Sequence, residues 1–178
     1  MFKKIKEKLV YRAKVVDVYE DYLEMPNGKE VVYDLIKHKG GACILPIDND
    51  GNLILIKQYR NVLGEENIEV PAGAYDFEGE DSLACAKREL EEEIGMVASH
   101  YEFFSNIVTC IGVSDERVAI YFATGLSEGV KNPDPEEFIE ILKVNLDTAV
   151  HMIFEGKIID AKTIAAILAY QTKYNQPK

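Results

Sequence analysis

The sequence predicts a mixed α/β domain with helices packed on a sheet. Three observations predict it. Apolar runs bounded by turn residues fill the chain from Tyr11 to Gly73. The apolar spacing then becomes helical over Leu83, Ala86, Leu90 and Ile94. A second set of β-rich runs follows, and two helical stretches close the chain after Asp147. The length of 178 residues suits one domain and a sizeable core.

Tyr11 to Leu35 reads as strands around a turn, because Asn27-Gly28 in "PNG" is a strong hairpin signal. "ACILPI" and "NLILIKQY" are two further strands, separated by the turn residues Asp48 to Gly51. "NIEVPAG", Asn67 to Gly73, is a short strand ending in Pro and Gly. The helix that follows can be capped by Asp81 or Ser82 and ended by Gly95 in the left-handed conformation. "YEFFSNIVTC", "RVAIYFATGL" and "EFIEILKV" read as strands. Asp147 opens a helix to about Phe154, and "DAKTIAAILAYQTKY" is an amphipathic helix.

The formal net charge of −11 argues against non-specific binding to nucleic acid or anionic membranes. It leaves room for a polyanionic substrate bridged by divalent cations. Cys43, Cys85 and Cys110 are odd in number and far apart, with no CxxC, which implies neither a disulfide framework nor a zinc site. The basic start "MFKKIKEKLVYRAK" lacks the apolar run of a signal peptide, and no later run is long enough to span a bilayer. These features point to the cytoplasm.

The chemistry concentrates in "RELEEEIG", Arg88 to Gly95. On a helix, Glu89, Glu92 and Glu93 share one face beside the apolar stripe, and Arg88 lies one turn before Glu92. Clustered carboxylate oxygens suit Mg²⁺ or Mn²⁺. The competing reading is a solvated acidic face, the fate of most charge runs. Against it stands "PAGAYDFEGED", a glycine turn leaving a strand, which can offer a backbone carbonyl to the same cation.

Gly73, Glu80 and "RELEEEIGM" together resemble the Nudix box, G-x5-E-x7-R-E-U-x-E-E-x-G-U with U aliphatic. Arg88, Glu89, Leu90, Glu92, Glu93, Gly95 and Met96 all match. Six residues rather than five separate Gly73 from Glu80, which places an extra residue in the loop Ala74 to Glu78. "ILIKQYR", "EVPAG" and "GVSDERVAIYFATGL" resemble the ADP-ribose pyrophosphatase branch of that superfamily. The resemblance implies an α/β/α sandwich with a mixed β-sheet and an amino-terminal β-hairpin region. It divides the chain into amino-terminal strands over residues 1–40, a possible dimerisation region, and a hydrolase domain over 41–178.

The resemblance also implies roles. Glu89, Glu92, Glu93 and the backbone carbonyl of Ala72 would hold metal, with Glu137 as a further ligand. Arg88 would orient a carboxylate. Arg60, Ala74 and Glu116 would contact substrate. The general base would lie in "NPDPEEF", where Pro135 occupies the branch's base position. Glu137 or Glu136 is then the base, with Glu116 third and Asp134 a substitute if the loop shifts. The implied reaction is Mg²⁺-dependent hydrolysis (Mn²⁺ possible) of ADP-ribose to AMP and ribose 5-phosphate by a homodimer. A nucleotide sugar, NADH or a diadenosine polyphosphate are alternative substrates. A non-catalytic nucleotide sensor on the same fold is the reading from another class.

Overall fold

A computed structural model of the chain describes residues 1–132 and 137–174. The chain separates into two compact units: Met1–Gly40 with Val108–Arg117, and Gly41–Ile107 with Val118–Lys178.

The first unit is built on an antiparallel meander of β1 (Lys3–Arg12), β2 (Val16–Glu24) and β3 (Glu30–His38). The Asn-Gly turn joins β2 to β3 in the expected place, with Gly28 at φ 80°. The strand β1 was not legible as such, because its lysines and glutamates mask the alternation. Salt bridges hold it instead: Lys4 to Asp21 at 2.7 Å and Lys8 to Glu20 at 3.0 Å. The segment 108–117 joins this unit through its backbone, with Ile36 N–H donating to the Val113 carbonyl at 2.8 Å.

The second unit holds the core. Strands β4 (Gly41–Pro46), β7 (Ala72–Ala74), β8 (Met96–Val108) and β9 (Arg117–Glu128) form a mixed sheet in the order β7-β4-β9-β8. The β4–β9 pair is parallel and β4–β7 antiparallel. A second, antiparallel sheet has β5 (Asn52–Arg60) between β10 (Glu140–Asn145) and β6 (Glu65–Glu69). The helices are α1 (Ser82–Ile94), α2 (Leu146–Phe154) and α3 (Ala161–Tyr174).

Side-chain alternation along the strands makes the layers. Cys43, Leu45, Val118, Ile120 and Phe122 join Ala149, Ala166 and Ile167 of α2 and α3 in one cluster. Their neighbours Ala42, Ile44, Ala119, Tyr121 and Ala123 join Cys85, Ala86, Leu90 and Ile94 of α1 in another. Every residue of β4 is buried, as befits a strand covered on both faces. This is the α/β/α arrangement that the resemblance implies. One expected strand is two: Pro71 ends the hydrogen-bonded run of β6, and the chain restarts at Ala72 as β7.

Candidate active site

Helix α1 starts and stops where its caps dictate. The Asp81 carboxylate accepts from the Ala84 N–H at 2.9 Å. Gly95, at φ 70°, returns its N–H to the carbonyls of Glu91 and Leu90. The apolar stripe faces the sheet, and this sets which acids point inward.

The three carboxylates do not share one environment. Glu89 and Glu93 are buried, at 7% and 2% exposure. The Glu92 side chain stays 39% exposed and pairs with Arg88 at 3.1 Å. Arg88 also donates to Glu89 at 2.6 Å and to the Ala74 carbonyl at 3.1 Å. One guanidinium thus ties the helix to the end of β7. Glu80 stands just before the helix rather than on it. Its carboxylate accepts from the Asp76 N–H at 2.7 Å and lies 3.6 Å from Arg88 Nε.

Strand β7 meets the buried acids through its backbone. The Ala72 N–H donates to Glu93 Oε2 at 3.0 Å. A Cβ on Gly73 would sit 1.9 Å from Glu89 Oε1, a distance no side chain can occupy. Gly73 is therefore glycine because a carboxylate fills the volume where a side chain would be.

Burial raises the Glu89 carboxyl to about 7, with the charge of Glu92 adding to it and Arg88 opposing. Burial raises Glu93 to about 8, and Glu89 pushes the same way. Two acids this close in a low-dielectric site resist joint ionisation unless a cation joins them. The donors fit a hard divalent ion, namely carboxylate oxygens beside a backbone strand, while the one thiol nearby, Cys85, is engaged with Arg88 and the Gly73 carbonyl. Among the described residues no three Asp, Glu, His or Cys side chains converge as a preformed cage. A backbone oxygen such as that of Ala72 would have to contribute.

The segment after β9 lies along the end of α1. Gly129 N–H donates to the Gly95 carbonyl at 2.8 Å, Val130 N–H to Glu91 Oε1 at 3.1 Å and Asn132 N–H to the Glu92 carbonyl at 3.0 Å. Glu91 is thus an anchor for this segment. Glu136, with Asp134 and Pro135, lies outside the described residues. Glu137 lines an open groove of about 460 Å³ with Lys57, Glu66, Lys131 and Phe138. Glu89 and Glu93 are not in its wall, yet the charge of Glu137 raises both.

The residues expected to contact substrate each have their own local partners. Arg60 makes a bidentate pair with Glu69, Nε to Oε1 at 2.7 Å and Nη2 to Oε2 at 2.8 Å. Its side chain remains 38% exposed. Ala74 ends β7, where its carbonyl accepts from Arg88. Glu116 belongs to the first unit, where it accepts from the Thr109 hydroxyl and lies 3.4 Å from His38 Nδ1. That nitrogen accepts the Gly40 N–H at 3.0 Å, so it is not a donor to Glu116.

Sequence reasoning missed a buried polar group behind β6. Lys162 Nζ donates to Glu69 Oε2 at 2.7 Å and pairs with Asp160 at 3.0 Å. Burial pushes the Glu69 carboxyl up, but Arg60 and Lys162 outweigh it and hold it at about 2. The signal was present: an acid inside "IEVPAG" and a lysine inside an otherwise apolar helix start.

A family model described as the NUDIX domain matches residues 37–167. The chain belongs to this family. The Nudix helix is α1, and its buried acids are those of the box. The chain is 35% identical over 173 residues to an ADP-ribose pyrophosphatase of Bacillus subtilis, covering 96% of this chain and 93% of that one. It is 34% identical over 167 residues to a methanol dehydrogenase activator of Bacillus methanolicus, covering 93% and 90%. A crystal structure of an ADP compounds hydrolase superimposes with a TM-score of 0.87 over 98% of this chain and 94% of that one, at 22% identity, which establishes the Nudix fold. This protein is a Nudix hydrolase.

Proposed function

We propose that this Nudix hydrolase uses Mg²⁺, or Mn²⁺, to cleave the diphosphate of ADP-ribose, giving AMP and ribose 5-phosphate. The observation that carries the reading is the buried Glu89–Glu93 pair closed against the backbone of β7. The similarity to the Bacillus subtilis ADP-ribose pyrophosphatase supports the substrate.

Glu89, Glu93 and the Ala72 carbonyl would hold the cation, with Glu92 and Glu137 completing the acidic set. The chemistry a bound cation supplies is neutralisation of the diphosphate and acidification of an attacking water. Arg88 keeps Glu89 and Glu92 oriented and fixes the end of β7 at Ala74. Glu137 is the base that takes the proton from water, a reading supported by the charge it exerts on both buried acids. Glu136 and Glu116 are the other candidates. Arg60, pre-aligned by Glu69, and the backbone of Ala74 contact the substrate. The protein works in the cytoplasm, consistent with three free thiols. It acts as a homodimer through residues 1–40, where Ile5, Val10, Tyr11 and Tyr33 are exposed.

The test is product analysis with Mg²⁺ and a panel of ADP-ribose, nucleotide sugars, NADH and diadenosine polyphosphates, with Glu93→Gln beside the wild type. AMP and ribose 5-phosphate from ADP-ribose, lost in the variant, sustain the proposal. Faster cleavage of another compound moves the substrate and keeps the chemistry. Nucleotide binding without turnover makes the protein a sensor. Sedimentation equilibrium of the full chain checks the dimer.

A further inference from the structure

The segment Glu69–Ala72 carries β6 into β7 and brings the Ala72 backbone to the acid pair. Three of its four residues are pinned from outside the strand. The Glu69 carboxylate is held by Arg60 and by Lys162. The Val70 N–H donates to the Thr163 hydroxyl at 2.9 Å. The Ala72 N–H donates to Glu93 at 3.0 Å. Pro71, between them, has no N–H to offer.

Two of these pins, Lys162 and Thr163, come from the first turn of α3. That turn is itself fixed. Asp160 accepts from the Thr163 N–H at 3.0 Å and from its hydroxyl at 2.6 Å, and pairs with Lys162 at 3.0 Å. Thr163 is fully buried, and its hydroxyl is used twice, donating to Asp160 and accepting from Val70. A hydroxyl with both functions engaged fixes the strand backbone more tightly than apolar packing does. None of these groups touches the acid pair through a side chain of its own. The connection runs along the backbone from Val70 to Ala72.

We propose that the first turn of α3 is a positioning device for the cation site, in which Thr163 and Lys162 set where β7 meets Glu93. This rests on the reading of Glu89 and Glu93 as cation ligands. Groups behind metal ligands commonly govern affinity about 10–100-fold when removed.

The experiment is a Mn²⁺ titration followed by the loss of the free-ion electron paramagnetic resonance signal. It uses the full chain as wild type, Thr163→Val, Thr163→Ser and Lys162→Gln. Melting temperatures of the metal-free proteins are measured beside it. Thr163→Val is expected to weaken Mn²⁺ binding about tenfold or more, and Thr163→Ser to restore it. Lys162→Gln is expected to weaken it as well, and it carries the test if Thr163→Val does not fold. Variants that melt lower but bind Mn²⁺ as wild type does would make Lys162 and Thr163 structural residues only and overturn the proposal. If the wild type itself takes up no Mn²⁺, the reading of the acid pair fails, and this inference fails with it.

Discussion

Gly73 and Glu93 show how little freedom individual residues have here. Gly73→Ala would place a methyl within the Glu89 carboxylate, so cation affinity and turnover should fall together, about tenfold or more. Glu93→Gln keeps the shape and the acceptor for Ala72 but removes the carboxyl that would ionise to hold a cation. Its rate should drop on the order of 10²-fold, the scale of losing one preorganised charged group. The metal-free variant should melt no lower than wild type, which differential scanning calorimetry would check. Glu69 behaves oppositely, because its charge is compensated. Its carboxyl sits at about 2 in the folded chain against 4.5 ordinarily, so the unfolded chain takes up the proton first as pH falls. The stability it confers is present above about 4.5 and disappears between there and about 2. Glu69→Gln should flatten that part of the acid unfolding curve. At neutral pH it should cost about 1–3 kcal/mol, since Lys162 keeps Asp160 and Arg60 is partly reached by water.

Elements carried most of their own instructions. The Asp81 cap, the stripe of Leu83, Ala86, Leu90 and Ile94, and the Gly95 stop were legible because each acts within a few residues. Asp81→Ala should destabilise by about 1 kcal/mol and leave turnover unchanged. Thermal melts and steady-state rates would separate the two effects. What local reading could not reach was the partner of each polar group. Helical spacing put Glu89, Glu92 and Glu93 on one face, but the sheet decided that two are buried and one is not. The Glu91 contact with Val130 and the Glu69–Lys162 pair join residues far apart in sequence. Strand β1 was illegible for a different reason, since ion pairs rather than apolar alternation hold it. The mixed sheet and sandwich followed from the box resemblance, and Pro71 split one expected strand into two.

For the molecule as a whole, binding and folding are one equilibrium. A cation that binds only the folded site should stabilise it by about 2.7 kcal/mol at a hundred times its dissociation constant. That is a rise in melting temperature of about 5–10 °C for a chain of this size. Chelator should abolish the rise, and Glu93→Gln should not show it. The parallel pairing of β4 with β9 has a consequence during synthesis. Gly41 pairs with Val118 and Pro46 with Ala123, so β4 emerges from the ribosome long before its neighbour exists. Until then its two apolar faces and the stripe of α1 have no sheet to close on. Such non-local closure is slow and leaves aggregation-prone surface exposed. The nascent chain should therefore depend on chaperones until β9 has been made.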